Sequence, residues 1–219
     1  MVSVAKRIVS GVGLALALFA LTACSQSQIY AADKESGAYV SIPKGWNKIE
    51  KTELDSFESK STAEGAEEKL ASVVWQEAYS TSPDVTAEQV LNLNAPKGAV
   101  MYIRVRDLNY EEMNSISYNS LRSVIVPITS WLAEPEKANS KFVLIDDYER
   151  VEKIARGVRT IYSFADSKGV LETVDQTALV SDDRSRIYLL IIRAKTKYYD
   201  KNVDELLAIG DSFTVRGDK

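Results

Sequence analysis

The chain has 219 residues, a formal net charge of −4, one cysteine and no histidine. Without imidazole it cannot build a Ser-His-Asp or Cys-His catalytic site or a histidine-ligated zinc site, and a single cysteine cannot form an intramolecular disulfide. The acidic balance and the lack of a basic cluster argue against nucleic acid as a partner. The composition therefore predicts a folded domain that binds no nucleic acid, metal or cofactor.

The N-terminal residues are typical of a bacterial lipoprotein signal. A lysine and an arginine precede an apolar run across 8–20, which is shorter than the roughly 20 apolar residues of a membrane-spanning helix. The run leads into Leu-Thr-Ala before Cys24, which resembles the lipobox. We expect residues 1–23 to be a signal peptide that is removed, and Cys24 to carry the acyl chains, palmitate among them. The alternative is an ordinary signal peptide whose cysteine lies here by chance.

Residues 24–37 are small and polar, and they are predicted to form a flexible tether between the lipid and a single domain spanning 38–219. The lipid anchor on Cys24 would place this domain outside the cytoplasm, on the outer face of the cell membrane or on the periplasmic side. In a cell with two membranes, Ser25 is compatible with sorting to the outer one.

The first half of the domain is predicted to mix strands and helices: strands across 39–42, 46–49, 69–79 and 99–107, and helices across 87–93 and 110–132. The alternation of apolar and polar residues is clearest across 99–107. Across 110–132 the apolar residues follow helical spacing, and Pro127 either kinks that helix or starts a second one.

The last third is predicted to form four consecutive strands and a closing helix: strands across 142–154, 157–164, 170–181 and 186–196, and a helix across 202–211. Consecutive strands with short connections form an antiparallel meander. The predicted fold class is therefore α+β, an antiparallel β-sheet flanked by helices.

Two motifs suggest a family. The domain begins with Tyr39-Val-Ser-Ile-Pro-Lys-Gly-Trp46, and the closing helix runs into Ile209-Gly-Asp-Ser-Phe213. With the lipobox and the meander, these segments resemble the PsbP-like family, relatives of the photosystem II extrinsic protein. The resemblance implies an α/β/α sandwich that binds protein partners without catalysis; cyanobacterial members are lipoproteins that attend photosystem II assembly.

This chain departs from the family pattern in two respects. Plant-type members bind metal through histidine, and this chain has none, so metal binding is not carried over. The region across 110–132 is longer than the usual helical excursion of the family, and it is a candidate partner surface.

Four residues are candidate binding residues. Tyr102, Arg104 and Arg106 share one face of the strand across 99–107, where they could hold an anionic or planar ligand by charge and stacking. Trp131 is the fourth. The alternatives are a solvated sheet face for the first three and a core anchor for Trp131, as for the other two tryptophans.

Three further motifs carry no predicted chemistry. Gly-Asp-Ser at 210–212 resembles a lipase nucleophile motif, but no histidine can activate the serine, and a helix C-terminal turn is the better interpretation. The aspartate pairs at 146–147 and 182–183 are predicted to be turn or surface residues, since neighbouring strand residues point to opposite faces. We assign no catalytic residue.

The sequence thus favours a membrane-anchored, extracytoplasmic lipoprotein acting as a non-enzymatic protein-binding or assembly module, associated with photosystem II if the host is photosynthetic. The alternative is a lipoprotein that binds a small molecule or a cell-wall glycan by aromatic stacking. An enzyme that uses carboxylates is the weakest hypothesis.

Overall fold

The computed structural model describes residues 28–139 and 141–217. The predicted signal peptide, Cys24 and the first residues of the predicted tether lie outside the described residues. The described strands are β1 Gln28–Asp33, β2 Ala38–Pro43, β3 Asn47–Ile49, β4 Val73–Ser80, β5 Ala99–Asp107, β6 Val143–Val151, β7 Ala155–Ala165, β8 Leu171–Ser181, β9 Arg186–Lys195 and β10 Thr214–Val215. The helices are α1 Lys51–Glu58, α2 Ala66–Ala71, α3 Ala87–Leu91, α4 Tyr110–Ser115, α5 Tyr118–Arg122, α6 Ile128–Ala133, α7 Thr196–Lys201 and α8 Val203–Ser212, with a 3-10 turn at Pro135–Lys137.

A seven-stranded antiparallel sheet forms the centre, in the order β3-β4-β5-β9-β8-β7-β6. The four predicted strands of the last third are present as β6 to β9, and each pairs with the next. Strand β9 then pairs with β5 from the first half. The predicted meander is confirmed, and the pairing of β5 with β9 joins the two halves of the chain into one sheet.

Helices cover both faces of this sheet. On one face, α7, α8 and a small three-stranded sheet bury the largest apolar cluster, which includes Trp46, Trp75 and Phe213. On the other face, α1 and α3 pack over one part of the sheet, and α4, α5 and α6 pack over another. The predicted α+β class, with helices flanking an antiparallel sheet, is confirmed.

The small sheet has the order β1-β2-β10, and it corrects the predicted tether. Residues 28–33 form strand β1, which pairs along its whole length with β2. Ala31 is 2% exposed and belongs to the apolar cluster under α8. Residues 28–33 are therefore part of the folded domain and not of a flexible tether.

Four helical segments differ from the predictions. The stretch across 110–132 is not one helix but α4, α5 and α6, because Ser117 forms a capping box that starts α5 and α6 begins directly after Pro127. The prediction that Pro127 starts a further helix is confirmed. Helices α1 and α7 were not predicted, and the start of the predicted strand across 69–79 is helix α2. None of the helices within the described ranges is long and apolar enough to cross a membrane.

Candidate functional site

A cavity of about 810 Å³ opens on the sheet face that carries α1 to α6. We call it the sheet cavity. Its floor is formed by β5 and β9, and its walls by α1, α2, α3, α4 and the loop at residues 124–125. It lies between the apolar cluster under α1 and α3 and the clusters under α4 to α6. Its apolar lining comprises Phe57, Leu91, Val124, Ile125, Ile187, Leu189 and Ile191.

The floor has one aliphatic row and one polar row. Along β9, alternate residues Ile187, Leu189 and Ile191 face the cavity. In the antiparallel register, Ile187 lies opposite Arg106, Leu189 opposite Arg104 and Ile191 opposite Tyr102. The three β5 residues predicted as binding candidates therefore do lie together along a concave site.

The polar groups of two of these candidates belong to a network that joins β4, β5 and α1. Tyr102 Oη donates to Gln76 Oε1 at 2.6 Å, and Arg104 Nη1 donates to Glu58 Oε1 at 2.5 Å and to Tyr102 Oη at 3.1 Å. Gln76 Nε2 in turn donates to Asp55 and Glu58. Burial raises the pKa of the Tyr102 hydroxyl well above its usual range, so the phenol stays neutral. This network holds α1 against the sheet.

Arg106 fixes the opposite wall. Its guanidinium donates to both carboxylate oxygens of Glu112 in α4, at 2.8 and 2.6 Å. Hydrogen bonding to Arg106 holds the pKa of Glu112 below its usual value. Arg104 and Arg106 thus attach the helices that wall the cavity. In the β9 row, Ile187 and Leu189 are buried and Ile191 is half-buried, so Ile191 offers the most accessible apolar surface of the floor.

Trp131 lies apart from the other three candidates. It lines a second cavity of about 550 Å³ together with Leu93, Phe164 and Asp166. Its ring packs edge-on against Phe142, with ring centroids 5.1 Å apart, and tilts against Phe164 at 6.3 Å. The other two tryptophans, as expected of core anchors, are each 8% exposed and lie in the large cluster on the opposite face of the sheet.

A buried ion pair lies beyond Ile191 along the same face, and the sequence analysis missed it. Arg193 is 3% exposed and Glu172 is fully buried. Arg193 Nε lies 2.9 Å from Glu172 Oε1 but outside hydrogen-bond geometry, so neither carboxylate oxygen has a hydrogen-bond partner within the described chain. Burial raises the pKa of Glu172 to about 7 and lowers the pKa of Arg193. From the sequence, only the alternation of side chains along β8 and β9 could have placed Glu172 and Arg193 on this face of the sheet.

The motifs set aside in the sequence have structural roles. The hydroxyl of Ser212 donates to Ile209 O at 2.7 Å, at the end of α8, and Asp211 forms an ion pair with Arg159. Asp183 accepts hydrogen bonds from Ser181 and Ser185 within a turn. Across 28–139 and 141–217, no three acidic side chains converge as a metal site would require.

Comparison with known proteins gives structural likeness alone. No family model matches the chain, and no curated protein matches it. The solution structure of cyanobacterial PsbP from Synechocystis sp. PCC 6803 is 11% identical and has a TM-score of 0.48, covering 96% of this chain and 98% of that chain. LpqN of Mycobacterium tuberculosis, involved in cell envelope biogenesis, is 15% identical with a TM-score of 0.45, covering 87% and 91% of the two chains.

The Ran-binding protein Mog1p of Saccharomyces cerevisiae is 8% identical with a TM-score of 0.43, covering 86% of this chain and 95% of that chain. A PsbP is thus among the solved structures similar to this chain, as the motifs predict. With TM-scores below 0.5, these likenesses carry no inference about ligands or partners.

Proposed function

We propose that the protein is a membrane-anchored, extracytoplasmic binding protein without catalytic activity, and that its ligand is a small apolar or amphiphilic molecule held in the sheet cavity. The location is supported by the signal sequence and lipobox before Cys24. Two or three acyl chains hold a protein durably on a membrane, at about 0.8 kcal/mol for each buried methylene.

One observation carries the choice of ligand. The sheet cavity encloses about 810 Å³ and has an aliphatic floor, which fits the usual volume of small-molecule sites, about 300–1,000 Å³. A glycan would need free hydrogen-bonding groups and open aromatic faces. In the floor, Tyr102 and Arg106 are engaged by protein groups, and the three tryptophans lie outside the sheet cavity. The available polar groups, among them Lys60 and Lys69, belong to the helical walls, where they could meet the polar end of an amphiphile. The lining therefore favours an apolar molecule over a sugar.

Filling the cavity tests this proposal. Ile191 is a half-buried floor residue, so Ile191→Trp places a large ring in the binding space. The probe is N-phenylnaphthylamine, an uncharged fluorophore whose emission rises in apolar surroundings. We expect saturable binding by the natural protein and at least about tenfold weaker binding by Ile191→Trp, a loss of roughly 1.4 kcal/mol.

Ile29→Trp is the matched control, because Ile29 is an exposed strand residue outside the cavity. It should bind the probe like the natural protein. Equal binding by both variants, or no saturable binding by the natural protein, would remove the sheet cavity as a binding site.

A second candidate function, a protein-binding or assembly module, is favoured by a different observation. Strand β6 exposes aliphatic side chains on a free sheet edge, among them Val143 and Ile145. Exposed apolar surface on an edge strand is typical of a protein contact. If the host is photosynthetic, photosystem II is the assembly to examine first, because the sequence motifs resemble the PsbP-like family.

A further inference from the structure

The free edge of β6 is unusually long. Strand β6 stands at one end of the seven-stranded sheet, and within the described chain it pairs with β7 alone. It has nine residues, or about 30 Å, whereas β3 at the other end has three. Natural sheets usually keep edge strands short, since a long edge is a template for another strand. The length of β6 therefore points to a partner.

The backbone groups along this edge are available. Glu152 N donates to a carbonyl of β7 at the hairpin end, so by alternation the N–H and C=O groups of Asp147, Glu149 and Val151 point away from β7. Asp146 Oδ1 accepts from Asp147 N at 2.9 Å. No hydrogen bond between described residues engages the outward groups of Glu149 and Val151, which leaves a short ladder open.

The side chains along the edge are partly apolar. Val143 and Ile145 are each 55% exposed, and Val151 is 72% exposed. Ile145 lies at an irregularity in the register between Leu144 and Asp146, where a bulge bends the strand. Val151 therefore adds an aliphatic group to the open ladder, and Ile145 adds another towards the opposite end of the strand, beyond Asp147.

The free charges on the edge are negative. Asp147 is paired with Arg122, and Arg150 donates to the carbonyl of Phe213, so both are engaged. Asp146 and Glu149 are exposed and form no ion pair with any other described residue. A second copy of β6 paired antiparallel with Glu149 opposite Glu149 would bring two carboxylates together, which is unfavourable. Charge therefore favours a basic partner over a second copy.

We propose that β6 is a docking edge for an extended segment of another protein, in which basic residues alternate with apolar ones, and that this segment adds to the sheet as a further strand. Backbone hydrogen bonds to Glu149 and Val151 would supply the pairing. Glu149 would select a basic residue on its own face of the sheet, and the alternate apolar residues would lie on the opposite face beside Tyr148, which is 37% exposed. The inference deepens the second candidate function and is independent of what the sheet cavity holds.

The test uses the full acylated chain in detergent micelles and a synthetic peptide of alternating lysine and valine, equal in length to β6. We expect saturable binding by fluorescence anisotropy and slower hydrogen exchange at the amides of Glu149 and Val151. The same peptide with alternate N-methyl groups cannot form the ladder and should bind at least about fivefold more weakly.

Val151→Pro removes one outward N–H without breaking a bond to β7, which is the position where an edge strand tolerates proline. We expect it to weaken peptide binding about fivefold, while Val151→Thr, which keeps the N–H and the branched side chain, binds nearly as the natural chain does. Thermal unfolding establishes that both variants are folded. Ile191→Trp should bind the peptide normally, which separates this inference from the cavity proposal.

Three outcomes would overturn the inference: no saturable binding, equal binding of the N-methylated peptide, or binding without protection of the Glu149 and Val151 amides. Concentration-dependent dimerisation that Val151→Pro abolishes would instead assign the edge to a second copy of the chain. Preference for a glutamate–valine peptide over the lysine–valine peptide would exclude the basic partner.

Discussion

Gly210 lies where α8 crosses the buried guanidinium of Arg159. Arg159 is 1% exposed, and it donates to both oxygens of Asp175 at 2.8 and 2.6 Å. A Cβ atom at Gly210 would lie 2.2 Å from Arg159 Nη2. The Gly-Asp-Ser motif is thus explained by packing. Its glycine leaves room for the Arg159 guanidinium, and its aspartate, Asp211, forms an ion pair with the same guanidinium.

We predict that Gly210→Ala destabilises the protein by about 2–4 kcal/mol, because the new methyl group displaces a buried, paired guanidinium. In an ordinary helix interior the same change is stabilising by about 0.5–1 kcal/mol, so the sign alone is diagnostic. Urea unfolding followed by circular dichroism measures the difference. A variant more stable than the natural chain would contradict this account.

Glu172 makes stability depend on pH. Burial raises its pKa from 4.5 to about 7; nearby Arg193 lowers it and Asp166 raises it further. Between these values the folded chain holds a proton that the unfolded chain releases. The stabilising contribution is therefore fully present below about pH 4.5 and is lost as the pH rises through about 7.

We predict that the free energy of unfolding falls by on the order of 1–3 kcal/mol between pH 4.5 and pH 7.5 through this residue. Glu172→Gln removes the ionisable group and should flatten this part of the profile. Glu111→Gln, at an exposed position, is the control and should leave the profile unchanged. Parallel profiles for the natural chain and Glu172→Gln would show that the carboxyl does not titrate there.

At the scale of elements, β1 is the most informative segment. The composition of its residues predicts a flexible tether, but in the structure they pair with β2. Ala31 faces the core, whereas its neighbour Ala32 is exposed. This alternation is a property of a strand and not of a tether.

We predict that Ala31→Lys destabilises the protein by about 2–4 kcal/mol, because it places an unpaired charge in an apolar cluster, and that Ala32→Lys changes stability by less than about 0.5 kcal/mol. Chemical denaturation of the two variants side by side checks this. Equal effects would mean that residues 28–33 do not pack as a strand.

The helices across 110–132 illustrate a limit of hydrophobic periodicity. The apolar residues recur at helical spacing through the whole stretch, but Asn109 and Ser117 accept hydrogen bonds from Glu112 N and Ser120 N. Each cap starts a separate short helix with its own direction. The capping residues were visible in the sequence and carry more weight than the periodicity there.

At the scale of the whole molecule, a lipid anchor on Cys24 would be separated from the domain by only a few residues. Strand β1 starts at Gln28, and the chain between Cys24 and Gln28 can reach at most about 14 Å. An acylated Cys24 would therefore hold the small sheet near the membrane surface. A ligand or partner would be met close to the lipid.

We predict that Cys24→Ala abolishes incorporation of labelled palmitate and moves the protein from the detergent phase to the aqueous phase on detergent phase separation, since no acyl chain remains. Ser25→Ala keeps the cysteine and serves as the control, which should stay in the detergent phase. Detergent-phase recovery of unlabelled Cys24→Ala would point to another means of attachment.

The sequence by itself determined the features that arise from local periodicity and composition. The apolar run before Cys24 predicts a lipid anchor, and this stays a prediction because Cys24 lies outside the described residues. The alternation along β5 and the short turns between β6 and β9 predict an antiparallel sheet, which the structure contains. These properties depend on residues within a few positions of one another, so they are visible without a fold.

Only the tertiary structure shows which residues form the sheet cavity and which of their polar groups are already engaged. The sequence placed Tyr102, Arg104 and Arg106 on one face, but it could not show that Glu58, 46 residues away, engages Arg104. Nor could it show that the β9 aliphatic row forms the floor of a cavity between two groups of helices. Such pairings depend on contacts between distant segments, which form only when the sheet brings those segments together.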